Sequence, residues 1–233
     1  FGDYDVDGST STALLSKYLR EAGVEFEFYI PDRIKEGYGP NEDAFTKLID
    51  SDCELIITLD CGTTALKEID FTNKKGVDVI VIDHHKQGKE LPKAFAIVNP
   101  NKQSDNSNLV NLCAAGVTFL LLVSLNRELK KINFFQDGEP NLIFYLDLVA
   151  LGTVCDLVKI DHLNRAFIKQ GLRILNHSPN LGVSSILKES KIDSEVTDYH
   201  LGFIIGPRIN AGGRVGKSSL GAELLLCNDN KIA

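Results

Sequence analysis

The chain has 233 residues, 43% of them hydrophobic and 24% charged, so it can bury the core of one large domain, or of a domain and part of a second. No apolar run reaches the roughly 18 residues of a membrane span, and the five cysteines, Cys53, Cys61, Cys113, Cys155 and Cys227, form no CxxC pair, which fits a reduced cytoplasmic protein better than a disulfide framework or a thiolate zinc site. The net charge of −7 weighs against a nucleic-acid partner only as a whole-chain sum, because a phosphate backbone is bound by a local basic strip.

Phe1 stands directly against an acidic motif with no strand to feed it, and the chain reads as truncated at its start. Ser11 to Ala22 is predicted as a helix capped by Ser9 or Thr10, with Leu14, Leu15, Tyr18 and Leu19 as its apolar stripe. Val24 to Ile30 alternates like a strand that Pro31 ends, and Asn41 is placed to cap a helix running to about Ile49. Continuous apolar runs from Leu55 to Leu59 and from Val77 to Ile82 read as strands buried on both faces of a parallel sheet, joined through a helix of roughly a dozen residues from Thr64. Ala94 to Val98 adds a short strand. The pattern then turns helical, over Ala114 to Leu129, Leu142 to Cys155 and Asn164 to Leu175, with a shorter segment at Ser184 to Glu189. The expected class is α/β, a parallel sheet with helices on both faces followed by a mainly helical C-terminal portion. A polar stretch near Lys188 to Asp198 marks a soft boundary between residues 1–190 and 191–233.

Carboxylates gather at particular places in this pattern. Asp3, Asp5 and Asp7 in GDYDVDG are spaced by two, so in an extended segment they would crowd one side, which is unfavourable unless cations sit among them. A solvated acidic loop or a DxDxDG calcium loop is the alternative, but where a calcium hand needs its glutamate the chain has Ala13 and Leu14. Asp60 follows one predicted strand and Asp83 another, and ligand sites in open α/β sheets gather beyond the carboxyl ends of strands. Asp60 taken alone would equally serve as a cap before Thr63 and Thr64. His84 and His85 beside Asp83 could be no more than a polar strand end, but imidazole next to carboxylate suits manganese- or magnesium-like chemistry. Asp156, at the end of an apolar helix in GTVCDLV, needs a partner, either a cation or Lys159 or Arg165. From Tyr199 to Ala222 there is no acidic residue, while His200, Arg208, Arg214 and Lys217 are present, and the stretch is a candidate phosphate-facing surface.

Together with the EGYGPN loop at 36–41, LDCGTT, LPKAFAIVNPNK after Asp83-His84-His85, AAGV at 114–117, LVALGTVCDLV and GPRINAGGR at 206–214, these residues resemble the DHH phosphoesterase superfamily over nearly the whole chain, and most closely its RecJ branch of single-strand-specific 5′ exonucleases. Other branches, type II pyrophosphatases among them, usually open the first motif with a histidine where Phe1 stands here. The resemblance implies two divalent cations, manganese before magnesium. Asp5 and Asp60 would hold one ion, and Asp7, Asp60, His84 and Asp156 the other, with Asp60 bridging. Asp3 and Asp83 are then outer ligands or orienters of the catalytic site, His85 contacts the scissile phosphate, and Arg208, Asn210 and Arg214 bind phosphates near the 5′ end. Gly212 and Gly213 either allow close backbone approach there or form an ordinary turn.

The implied reaction is two-metal hydrolysis of single-stranded DNA from its 5′ end, releasing 5′-mononucleotides, with a role in DNA repair and recombination. A superfamily hydrolase of short oligonucleotides, cyclic dinucleotides or pyrophosphate is the second reading. An inactive replisome scaffold is the third, although the chain keeps every motif carboxylate. Single-strand preference would come from a narrow channel with stacking aromatics and a basic track. Tyr38, Tyr199 and Phe203 are the stacking candidates, with core packing the expected role of Phe203. Residues 1–190 would be the DHH catalytic domain, and residues 191–233 the phosphate-contacting segment and the start of a connector to a DHH-associated domain that the chain lacks.

Overall fold

The computed structural model describes every residue except Asp137, Val215, Asn230 and Ala233. At its centre is a three-stranded parallel sheet, β1 (Leu55–Leu59), β2 (Asp78–Ile82) and β3 (Ala96–Val98) in that order, with Leu55 opposite Asp78 and Ile80 opposite Ala96. Beside the outer edge of β1, Gly2 bridges to Leu59, Leu59 N donates to Phe1 O, and the Phe1 amino group donates to Ile57 O. The segment 24–30, predicted as a strand, is not a regular one. Gly2 N donates to Tyr29 O and ties the segment to this edge, so its alternation reflects a half-buried extended border rather than a ladder.

Strand side chains alternate between two apolar clusters. Ile56, Val79 and Val81 pack with Phe45 of α2 (Glu42–Asp50) and Ile69 of α3 (Leu66–Lys74). Leu59, Ile80 and Ile82 face α1 (Val6–Glu21) and α4 (Ala114–Lys131) on the other side. Helices therefore cover both faces of the sheet, as the continuous apolar runs require.

Helix starts differ most from the sequence pattern. α1 begins at Val6, ahead of the predicted Ser11, because Asp5 is its cap, with Oδ1 accepting from Gly8 N at 2.9 Å. GDYDVDG is thus not one extended run, since Asp7 already lies in the first helical turn. α3 starts at Leu66 rather than Thr64 and has no side-chain cap. The predicted 142–155 helix is a 3₁₀ turn (Leu142–Tyr145) followed by α5 (Leu146–Cys155), which is buried along nearly its whole length. α6 (His162–His177) is capped by Asp161 and α7 (Leu181–Glu189) by Asn180.

The last third contains a feature that the Gly- and Pro-rich sequence hides. α8 (Asp198–His200), a π turn (Leu201–Ile205) and α9 (Gly206–Gly212) form one continuous run through GPRINAGGR. Gly206 N donates to Leu201 O in the wider turn, and Pro207, which has no N–H to offer, follows it at the start of α9. α10 (Leu220–Leu226) returns onto α1, and Leu225 and Leu226 share one apolar cluster with Leu14 and Leu151. Among the described residues no helix is long and apolar enough to cross a membrane.

Candidate metal centre

The carboxyl ends of β1 and β2, the start of α1 and the end of α5 meet above the sheet. Asp60 follows β1 at φ 61°, in the left-handed region, and Gly62 follows it at φ 105°. A methyl group on Gly62 would lie 2.5 Å from Thr58 Oγ1, so a side chain there is excluded both by backbone and by space. Asp7 is buried, and its carboxylate receives the first amides of α4, Ala114 N at 2.6 Å and Ala115 N at 2.9 Å. Asp156 is the C-cap residue of α5.

His84 Nε2 lies at the focus of three carboxylates, 3.2 Å from Asp60 Oδ1 and 3.7 Å from both Asp7 Oδ2 and Asp156 Oδ2. Ligand atoms of Asp3, Asp5 and Asp60 also lie within 4.8 Å of one another, as do those of Asp60, His84 and His85. Asp60 Oδ1, His84 Nε2 and Asp156 Oδ2 are buried with no hydrogen-bond partner. Buried polar atoms are ordinarily paired, so three orphans facing one space are a donor set that could hold a cation. Among the described residues neither Lys159 nor Arg165 is paired with Asp156, and Asp60 caps no helix.

Charge crowding is written into the acidities. Burial, and then the Asp156 charge, pushes Asp7 up to about 8. Burial and Asp5 push Asp3 up to about 7 and Asp156 up to about 6. Asp60 rises well above the carboxylate range through burial and then Asp7. His84 is lowered by burial and by His85, which favours the neutral imidazole that a metal ligand must be.

Asp83 is the exception. Burial alone would raise it, but hydrogen bonds from His85 and Thr63 outweigh that and hold it well below the usual range. Its Oδ1 accepts from His84 N, His85 N and His85 Nδ1 at 2.7, 3.1 and 2.7 Å, and its Oδ2 accepts from Thr63 N at 3.0 Å. A carboxylate so engaged orients the two histidines. His85 is raised in turn, first by its bond to Asp83.

Several supporting residues carried no assigned role in the sequence. Asn99 Nδ2 donates to Thr63 Oγ1 at 2.8 Å and to His85 O at 2.9 Å, while Asn101 Nδ2 donates to His84 O at 2.6 Å. The two asparagines of VNPNK thus clamp the His84-His85 backbone, and their place just beyond a third strand end was the available signal. Tyr38, read as a stacking candidate, reaches the site differently, its hydroxyl donating to Asp60 O at 3.1 Å and its ring lying edge-on to His85. Arg33 lies over the Tyr4 ring at 5.1 Å and lowers Asp3 electrostatically. Nothing local in the sequence marked it.

The predicted phosphate-binding residues make no direct bond to this cluster among the described residues. Arg208 is exposed, with Nη1 donating to Ile204 O at 2.8 Å, Asn210 is half-buried and Arg214 is exposed. Lys217 is taken up by Glu223 at 2.6 Å, and His200 Nδ1 accepts from Thr197 N at 3.0 Å. Gly212 ends α9, and Gly213, its cap in right-handed helical geometry, lies in the turn that follows, which Arg214 N closes by donating to Ala211 O at 2.9 Å. The smallness of Gly212 serves packing, since a methyl there would lie 3.1 Å from Leu220 Cβ.

Residues 1–153 match the model of the DHH family, N-terminal domain. The chain is 41% identical over 234 residues to the single-stranded-DNA-specific exonuclease RecJ of Dickeya dadantii, covering 98% of this chain and 41% of that protein. It is 38% identical to the protein of the same name in Bacillus subtilis, covering 99% of this chain and 28% of the other. A crystal structure of exonuclease RecJ bound to manganese superposes with a TM-score of 0.86 at 35% identity, over 99% of this chain and 56% of that one. The crystal structure of RecJ from Thermus thermophilus in complex with Mn2+ gives 0.82 at 33%, over 99% and 32%. The chain thus spans less than half the length of these curated relatives.

Proposed function

The chain belongs to the DHH family, and from that premise we propose that it hydrolyses the phosphodiester bonds of single-stranded DNA from 5′ to 3′, releasing 5′-mononucleotides in DNA repair and recombination. The observation that carries the reading is the convergence of Asp60 Oδ1, His84 Nε2 and Asp156 Oδ2, buried and unpartnered. Carboxylate oxygens with imidazole and no thiolate suit manganese or magnesium. The similar single-stranded-DNA-specific exonucleases, and RecJ structures that hold manganese or magnesium, support the same reading.

We assign Asp7, His84 and Asp156 to one cation and Asp5 to a second, with Asp60 shared between them and Asp3 as an outer partner. Two such ions supply activation of water and neutralisation of the attacking and leaving oxygens of an in-line displacement. The protein's own groups do the remaining work. His84, kept neutral by burial, presents Nε2 to the three carboxylates. Asp83 lies 2.7 Å from His85 Nδ1 and raises the basicity of this half-exposed ring, which contacts the scissile phosphate. Arg208, Asn210 and Arg214 bind the flanking phosphates, so that residues 1–190 act as the catalytic domain and residues 191–233 as the strand-contacting part.

Digestion of a long 5′-phosphorylated single strand beside its duplex, a dinucleotide and pyrophosphate, with manganese and with Asp60→Ala as control, tests the reading. Loss of the single strand from its 5′ end while the duplex survives is the expected result. Consumption of the dinucleotide or pyrophosphate alone removes the exonuclease assignment.

A further inference from the structure

Tyr199 and Phe203 stand one turn apart, their rings stacked with centroids 5.0 Å apart and planes at 25°. Phe203 was expected in the core, yet it is 68% exposed and Tyr199 is 59% exposed. Two adjoining aromatic faces in water gain nothing from folding, and such pairs mark contact surfaces. The opposite side of the same run is the packed one. Leu201, Ile205 and Ile209 are buried there, Cys155 Sγ donates to Leu201 O at 3.4 Å, and a methyl on Gly206 would lie 2.5 Å from Cys155 Sγ. Cys155 adjoins Asp156, so the aromatic pair and a candidate metal ligand are borne by elements in direct contact.

The exposed side continues with Arg208 and Arg214, and among the described residues no carboxylate lies within 4.0 Å of either guanidinium. The run then reaches Gly213, where a methyl would lie 3.7 Å from the ring of Tyr4, the residue between Asp3 and Asp5. At about 1.5 Å per residue, Phe203 is on the order of 15 Å along the helix from that point, or about four stacked nucleotides.

We propose that Tyr199 and Phe203 form a base-stacking subsite for the part of a single strand that lies several nucleotides from the scissile bond, with Arg208 and Arg214 spanning the phosphates between. The occupant rests on the nuclease reading above and is argued from charge. An acid-free stretch whose guanidinium groups join no ion pair among the described residues, beside aromatic faces, matches a polyanion whose bases carry π faces, and stacking of this kind tolerates any sequence.

The chain contains no tryptophan, so Phe203→Trp introduces a single indole reporter. Quenching of its fluorescence by a nuclease-resistant phosphorothioate oligothymidylate in magnesium is expected. In the Tyr199→Ala/Phe203→Ala double variant, the ratio of kcat/KM on a long strand to that on a dinucleotide should fall roughly five- to hundredfold. An absent quench, or an unchanged ratio in the double variant, overturns the subsite. Failure of the nuclease reading looks different, because a protein that quenches with the oligonucleotide yet hydrolyses neither substrate keeps the subsite and loses the activity.

Discussion

Asp7 and Ala114, 107 positions apart, are joined by a 2.6 Å bond in which the first amide of α4 donates to Asp7 Oδ2. α4 has no side-chain cap of its own at Cys113, so a residue of α1 supplies one across the core. The same carboxylate faces His84 Nε2 at 3.7 Å, which couples the packing of two helices to the candidate metal centre.

Asp7→Ala should therefore destabilise the protein by about 1–3 kcal/mol, since two buried amides lose their acceptor. Asp7→Asn keeps one acceptor oxygen and should lose less. Both variants should lose most of the rise in Tm that manganese gives the wild type. Thermal melts with and without manganese measure both effects, and equal destabilisation by Ala and Asn would refute the capping role.

The pH dependence of the metal-free protein should run opposite to that of a protein with paired carboxylates. Asp156, Asp3 and Asp7 are raised to about 6, 7 and 8, with burial as the first cause of each. Between the ordinary carboxylate value near about 4 and these values, the folded state holds protons that the unfolded chain has released, so stability falls as pH rises. Asp83, held below the usual range, has the opposite sign, but its contribution is lost only on acidification below about 4. Manganese binds the deprotonated cluster, and its stabilisation should grow over the same interval. A series of melts from about pH 5 to about pH 8, in chelator and in manganese, reads the two slopes. A chelated protein whose Tm rises across that series would contradict the crowding described here.

The sheet was legible because β1 and β2 are continuous apolar runs covered on both sides, and Asp60 and Asp83 were legible as candidate site residues because each directly follows such a run. The start of α1 was not. Asp5 is chemically suited to capping and to ligation alike, and local sequence cannot tell which role governs the backbone. GPRINAGGR looks like a loop by its Gly and Pro content, but tertiary contact makes Gly206–Gly212 helical, with Gly212 against Leu220 and a π turn before Pro207. The exposure of Phe203 was hidden for a related reason, because the side that a helix buries depends on where that π turn shifts the register.

Asn99 is a positioning residue by this geometry. Its side chain links Thr63 Oγ1 to His85 O, and Thr63 N in turn donates to Asp83. Asn99→Ala should lower kcat roughly 10- to 100-fold, as loss of an outer-shell partner commonly does, and should also weaken manganese binding. Asn99→Asp replaces the donor with an acceptor and should not rescue, whereas a purely packing role would let either variant keep its manganese affinity. Manganese titration followed by Tm separates the two outcomes.

Two glycines on adjoining helices offer a controlled pair. A methyl on Gly152 would meet Thr10 Oγ1 at 2.6 Å, Ala115 Cβ at 2.8 Å and Asp7 Oδ1 at 2.9 Å, and Gly152 O also receives Asp156 N at 2.9 Å. A methyl on Gly171 of α6 would overlap the Leu146 carbonyl and the Ala150 side chain, none of them candidate ligands. Each change to Ala overpacks a helix contact and should destabilise by about 1–3 kcal/mol, set against a helix-propensity gain of about 1 kcal/mol. Only Gly152→Ala presses directly on Asp7, and it alone should reduce manganese affinity, by roughly tenfold or more. If the two variants lose stability alike and bind manganese alike, the glycine of GTVCDLV serves helix packing and nothing more. A selective loss in Gly152→Ala would tie the close approach of α1, α4 and α5 to the placing of the Asp7 carboxylate.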